Sequence, residues 1–495
     1  MSQQRPNIIF IMSDDHASHA MSCYGSRINE TPHLDRIANE GMRFNNCFCT
    51  NSICAPSRAT ILTGTYNHVN GVTTLKTHLD NRLTTFPKLL QAAGYQTAII
   101  GKWHLGQGPE HEPTGFDHWC VLPGQGSYIE PEMIEMGERK KFSGYVTDLI
   151  TDMSLDWISN RDPSRPFMLL CHHKAPHRHW LYDDKHAHLY KNIELPFPDT
   201  FDDDYAGRAE AAAAATMRVE RDMNYQDLRL VPPDGCGKHD LVPVPESLDD
   251  FSVTTLEGET IRFNSHEELK RFKYQRYIKS YLRCIASIDD NVGRMLDYLE
   301  ENNLAENTII VYTSDQGFFL GDHGWYDKRF MYEESLRMPF VMRYPREISP
   351  GAANDDIILN VDFAQTFLDY AGVEAPQEMQ GRSFRSVCRG ETPSDWRDAM
   401  YYRYWMHGGH NVYAHYGIRT KQHKLIYYYA DPLDQPGTMG EPRPPEWELF
   451  DLVSDAHEMK NLIHDPASAD LVAELKDELH RIQAEVGDEP YQRDA

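Results

Sequence analysis

The stretch Asn7-Ile8-Ile9-Phe10-Ile11-Met12-Ser13-Asp14-Asp15-His16 decides how the chain is read. Its apolar residues follow one another without polar alternation, the pattern of a strand buried on both faces of a parallel sheet. Two carboxylates stand directly at its C-terminal end. Three more stretches repeat the arrangement. Residues 97–100 run into Gly101-Lys102-Trp103-His104, and residues 167–171 run into His172-His173-Lys174-Ala175-Pro176-His177. Residues 308–313 run into Ser314-Asp315-Gln316-Gly317. In open α/β sheets, sites form beyond the carboxyl ends of the strands, so these four clusters are expected to converge on one crevice.

Helical patterns fill the spaces between. In Thr31-Pro32-His33-Leu34-Asp35, Thr31 is expected to cap a helix that has Pro at its first position and ends before Gly41. Ile278, Leu282, Ile285, Ile288, Val292, Met295 and Leu299 recur every three or four residues and predict a long amphipathic helix feeding the strand at 308. Residues 195–268 are irregular, with an alanine run and an acidic cluster, and read as an insertion on the site's side or as a surface loop with a helix. Aromatic, strand-like runs follow at 400–405, 424–429 and 447–452, and a helix with Leu471, Leu475, Leu479 and Ile482 on one face ends the chain. The expectation is an α/β protein: a catalytic domain over 1–385 with a large mixed sheet flanked by helices, then a small α+β subdomain over 386–495 with an antiparallel sheet and terminal helix.

The chain has 495 residues, 49 basic against 75 acidic, for a formal net charge of −26. Such acidity argues against a nucleic acid partner. No run approaches the roughly 18 apolar residues of a membrane span, and the opening Met1-Ser2-Gln3-Gln4-Arg5-Pro6 leads into too short an apolar run for a signal peptide. The chain as given therefore reads as cytoplasmic, or as periplasmic or secreted if a leader has been removed. Its nine scattered cysteines fit reduced thiols rather than a disulfide framework.

Asp14 and Asp15 after one strand, with Asp315 and Gln316 after another, would give an all-oxygen site. Hard oxygen ligands suit Ca²⁺ or Mg²⁺. Taken alone, two adjacent aspartates are more simply a helix cap or a solvated turn; a second motif changes that balance.

That motif is Cys54-Ala55-Pro56-Ser57-Arg58-Ala59-Thr60-Ile61-Leu62-Thr63-Gly64. It resembles the signature of the formylglycine-dependent (type I) sulfatases, C-x-P-S-R followed by L-T-G. The alternative, a buried cysteine near a helix start, does not account for the extended match. The resemblance implies an alkaline-phosphatase-like fold and oxidation of Cys54 to formylglycine by a separate maturation enzyme. It also implies a hydrated aldehyde that attacks sulfur with one hydroxyl and uses the second to expel sulfate, covalent catalysis in two steps. By the same resemblance Asp14, Asp15, Cys54, Asp315 and Gln316 surround a divalent cation, calcium first and magnesium second, with Gln316 where the family usually has Asn or His. Gly101-Lys102-Trp103-His104-Leu105-Gly106 and Ala175-Pro176-His177 look like further family segments, and Lys328 stands where the family carries a lysine. The implied roles are orientation and charge balance for Arg58 and Lys102, sulfate contacts for Lys102 and Lys328, the leaving-group acid for His177, and assistance in elimination for His104.

The resemblance covers nearly the whole chain and is strongest toward carbohydrate sulfatases of the N-acetylglucosamine-6-sulfatase type. It places Arg178, His179, Trp180 and His415 near the sugar, with Trp180 a candidate stacking surface. The expected partner is a sulfated small molecule or glycan. A phosphonate monoester or phosphodiester hydrolase of the same superfamily is the competing enzyme reading, and a non-catalytic glycan-binding protein on this scaffold is the third.

Overall fold

The structure, a computed structural model, describes residues 5–491. Met1 to Gln4 of the leader reading lie outside the described residues. A ten-stranded mixed sheet forms the centre. Its strands are β1 (Asn7–Ser13), β2 (Met42–Phe44), β3 (Gln96–Lys102), β4 (His118–Leu122), β5 (Glu132–Glu135), β6 (Glu138–Lys141), β7 (Phe167–His172), β8 (Thr308–Ser314), β9 (Phe340–Arg343) and β10 (Ala352–Asn354). They lie in the order β10-β2-β9-β8-β1-β7-β3-β4-β5-β6. The four strands singled out in the sequence are thus adjacent, β8-β1-β7-β3, and mutually parallel. Every residue of β1, β3, β7 and β8 is buried, which is why none of them alternates.

Helices cover both faces. α1 (Pro32–Asn39) and α4 (Val146–Ser159) pack with α5 (His266–Glu301) on one side. On the other, α2 (Cys54–Thr63) and α3 (Phe86–Ala92) pack with α6 (Phe363–Ala371), whose Phe363 and Phe367 meet the ring of Phe10. α1 departs from expectation at its start. Thr31 makes no cap hydrogen bond. The backbone N–H groups of His33 and Leu34 donate instead to the carboxylate of Asp289 on α5, at 3.0 and 2.8 Å. A carboxylate there satisfies the free donors and faces the positive end of the helix. α5 is longer than its apolar repeat, because Ser265 caps it by accepting from the Glu268 N–H at 3.2 Å.

Residues 195–265 hold one short helix, Glu210–Ala214, and a three-stranded sheet of Leu230–Val231, Ser252–Thr255 and Thr260–Arg262. The C-terminal part is a four-stranded antiparallel sheet, β11 (Ala399–Tyr404), β12 (His415–Thr420), β13 (His423–Tyr428) and β14 (Glu446–Asp451), with α7 (Ala469–Val486) burying Leu475, Leu479 and Ile482. β12 is absent from the sequence reading. Its Gly417 lies so close to β13 that a Cβ would come within 2.3 Å of the Leu425 carbonyl, and a glycine breaks the apolar pattern that marks a strand. All nine cysteines are free. Among the described residues, no helix is long and apolar enough to cross a membrane.

Candidate active site

Three of the four strand ends, those of β1, β7 and β8, are joined by backbone hydrogen bonds. The N–H of Asp14 donates to the Ala175 carbonyl (3.1 Å), that of Asp315 to Ser13 (3.2 Å) and that of His173 to Met12 (2.8 Å). Two glycines make the approach possible. Gly101 has φ +113°, and a Cβ on it would sit 1.9 Å from the His172 carbonyl oxygen; a Cβ on Gly317 would sit 2.1 Å from that of Glu334. Asp15 itself has φ 73° and His104 has φ 58°, left-handed conformations that cost energy in a non-glycine residue and gather at functional sites.

α2 brings the last component. Cys54 is its first residue, and Arg58 follows one turn later on the same face. The Cys54 thiol donates to Asp14 Oδ1 at 3.3 Å. Arg58 donates from Nε to Asp315 Oδ2 and from Nη1 to the Lys102 carbonyl, both at 2.9 Å. Lys102 Nζ donates to Asp14 and to the side-chain oxygen of Gln125, and Lys328 Nζ donates to Asp15. Three cations therefore meet three carboxylates around one thiol, and all seven residues are at most 3% exposed.

Burial pushes the Cys54 thiol up to about 12, against the pull of Lys328. At neutral pH the sulfur stays protonated and is a poor nucleophile in its own right. Iodoacetamide at pH 8 should therefore leave Cys54 unlabelled in native, unconverted protein and label it after unfolding. Rapid native labelling, read by peptide mass, would contradict this environment. Asp15 is raised to about 6, chiefly by burial; Lys328 opposes the shift, and Asp315 and Asp327 add to it.

The carboxylate oxygens of Asp14, Asp15 and Asp315 lie within 4.8 Å of one another. Asp15 Oδ2 and Gln316 Oε1 are buried and have no hydrogen-bond partner, while the Gln316 amide nitrogen donates to Asp15 Oδ1. Two orphaned oxygens beside clustered carboxylates fit a hard divalent cation. Ligand atoms of Asp14, Cys54 and His177 also fall within 4.8 Å of one another, so the thiol borders the same position.

His177 places Nε2 3.9 Å from Asp15 Oδ2, with Nδ1 against the Arg178 carbonyl. Burial holds its pKa well below the usual value, and Lys102, Lys328 and Lys174 add to this. The neutral ring thus keeps its proton on Nδ1 and turns the Nε2 lone pair to the site. His104 is lowered by burial and by the same cations, and its Nδ1 has no partner.

Beside His177 lies a cavity of about 970 Å³. Arg178 and His179 line it, both held by Asp227 from the insertion; Nε of Arg178 and Nδ1 of His179 reach Asp227 Oδ1 at 3.1 and 2.7 Å. Trp180 and His415 do not reach it, and the structure corrects both assignments. Trp180 is 0% exposed, its ring 4.7 Å from that of Tyr277, so it belongs to the core and has no face to offer a sugar. His415 is equally buried, packed among Tyr402, Tyr404, Phe330 and Tyr428. The sequence reading missed Gln125, Tyr128, Lys174, Asp227 and His410. Only Lys174, between the histidines that follow β7, carried a signal, since it sits at a strand end.

The sulfatase family model matches residues 6–373, and that of the N-sulphoglucosamine sulphohydrolase C-terminal region matches residues 321–485. The chain is 44% identical over 503 residues to the N-acetylglucosamine-6-O-sulfatase of Bacteroides thetaiotaomicron, covering 98% of this chain and 87% of that protein. A solved structure of a protein in complex with its substrate, D-glucosamine-2-N,6-O-disulfate, superposes with a TM-score of 0.87 at 42% identity over 98% of both chains. A phosphonate monoester hydrolase of Agrobacterium radiobacter shares the fold, with a TM-score of 0.72 at 18% identity over 97% of this chain and 96% of that one.

Proposed function

The chain belongs to the sulfatase family and is a sulfuric ester hydrolase, and from that premise we propose that it removes the 6-O-sulfate of a glucosamine-type sugar. The observation that carries the reading is Cys54 at the start of α2, enclosed by Asp14, Asp15 and Asp315 and by Arg58, Lys102 and Lys328. The relatives' substrates supply the sugar; the cavity beside His177 has the size and polar lining to hold one.

The family implies formylglycine at position 54 and a metal ion. Formylglycine, made from Cys54 by a maturation enzyme, supplies a hydroxyl nucleophile at neutral pH that the buried thiol does not. A divalent cation on Asp14, Asp15, Asp315 and Gln316, calcium in our reading and magnesium as the alternative of the same ligand type, supplies Lewis-acid stabilisation of negative charge. The protein's own groups do the rest. Arg58, fixed by Asp315 and by the Lys102 carbonyl, orients the residue one turn back and offsets charge there. Lys102 and Lys328 stabilise the oxygens of a sulfate as charge builds on them. His177 faces the leaving oxygen with Nε2. An arriving sulfate ester offsets the neighbouring lysines, so Nε2 gains a proton more readily and can pass it to the departing alcohol. His104 takes a proton when sulfate departs.

Mass spectrometry of the Cys54 peptide from protein made in its native host tests the reading. The aldehyde or its hydrate is expected. A free thiol throughout would sink the enzyme assignment, because that thiol is buried and protonated.

A further inference from the structure

We propose that Lys174 binds a second anionic group on the substrate, a sulfo group elsewhere on the sugar that carries the scissile ester; this rests on the reading above. Near the nucleophile each cation has a carboxylate: Arg58 with Asp315, Lys102 with Asp14, Lys328 with Asp15. Two cationic side chains of Lys or Arg type line the cavity, Lys174 and Arg178, and Arg178 is neutralised by Asp227. The Lys174 ammonium makes no side-chain hydrogen bond or ion pair among the described residues; its contact is with the Tyr128 ring, and Asp15 acts on it only from beyond ion-pair distance.

It is also costly where it stands. The residue is 4% exposed, and burial lowers its ammonium group to about 8. A desolvated, unpaired cation is tolerated where a ligand completes it. The side chain is not loose. Its Nζ lies 4.9 Å from the centre of the Tyr128 ring, a cation–π contact, and the Tyr128 hydroxyl donates to the His177 carbonyl at 2.7 Å. The ammonium is thereby held in register with His177, at the reacting end of the cavity. A sugar bound by its sulfate ester beside His177 would turn another ring substituent toward Lys174. An anion there gains a charge-assisted hydrogen bond; a neutral acetamido group does not.

The test uses Cys54→Ala protein, which binds without turnover, titrated calorimetrically with N-acetylglucosamine 6-sulfate and with glucosamine 2-N,6-O-disulfate. The disulfate is expected to bind about tenfold tighter or more. Adding Lys174→Met should bring the ratio of the two Kd values close to one, and Lys174→Arg should restore most of it. Lys174→Gln serves as a second neutral variant if the methionine protein melts early. A ratio near one in the parent, with both sugars bound, overturns this inference alone. So does a ratio that Lys174→Met or Lys174→Gln leaves intact, or equal weakening of both sugars, which would place Lys174 on the scissile sulfate. Failure of the parent to bind either sugar overturns the sugar reading and this inference with it.

Discussion

Cys54→Ala protein should release no measurable sulfate, a fall in kcat/KM of roughly 10⁴-fold or more, while melting close to the parent. The two halves of this result have separate causes. Activity disappears because the proposed chemistry has one nucleophile, the group made from Cys54, which borders the carboxylate cluster. Stability is nearly kept because Cys54 makes one weak polar contact, a thiol donating to Asp14 at 3.3 Å. The methionine-sized rearrangements that destabilise cores are not involved; one sulfur atom is lost, a change on the order of 1 kcal/mol. Cys54→Ser is the sharper variant. It keeps one hydroxyl but lacks the second, so it should release the sugar once and then stall with sulfate attached. Stopped-flow or quench measurements should show a single turnover at most. Sustained turnover by either variant would remove Cys54 from the chemistry.

The second large effect separates two aspartates that look alike in the sequence. Asp315→Ala should abolish activity and also destabilise the fold by about 3–5 kcal/mol. Its carboxylate accepts from Arg58 Nε at 2.9 Å and from the Asp15 N–H at 3.2 Å. Without it the guanidinium stays buried at 2% exposure, with Nη2 already unpartnered, and the left-handed backbone at Asp15 loses a hydrogen bond that holds it. Asp14→Ala should abolish activity with a much smaller loss of stability. Its partner Lys102 keeps the Gln125 oxygen, and once Asp14 is gone burial favours the uncharged amine, so Lys102 can shed its proton rather than remain a stranded charge. Denaturant unfolding measures the difference. Calcium titration followed by melting temperature supplies the common part: the parent should be stabilised, and both variants should be far less responsive. Equal stability of the two variants would show that the Arg58–Asp315 pair is not what anchors this end of the sheet.

These contrasts show where the sequence was informative. Asp14, Asp15, Lys102, His177, Asp315 and Gln316 all follow apolar strands, and a parallel sheet needs no more than strand adjacency to unite them. Cys54 and Arg58 share a helix face by spacing alone. The cavity walls follow no such rule. Gln125 and Tyr128 come from one loop, Asn224 and Gln226 from the insertion and His410 from the C-terminal part, and none lies in a periodic segment. Trp180 shows the opposite error. It stands three residues from His177 in the chain, yet the backbone turns and sends its indole into the core against Tyr277. The helix cap failed for a related reason, since Asp289 lies more than 250 residues from the N–H groups it accepts from, beyond any local pattern.

The most direct measurement is inorganic sulfate released by converted protein from N-acetylglucosamine 6-sulfate, glucosamine 2-N,6-O-disulfate, an aryl sulfate and a phosphodiester, with Cys54→Ala protein as the control. Release from the two amino sugar sulfates, absent in the control, is the predicted result. Turnover of the phosphodiester with no sulfate released from either sugar would contradict it, leaving the nucleophile in place and the substrate wrong.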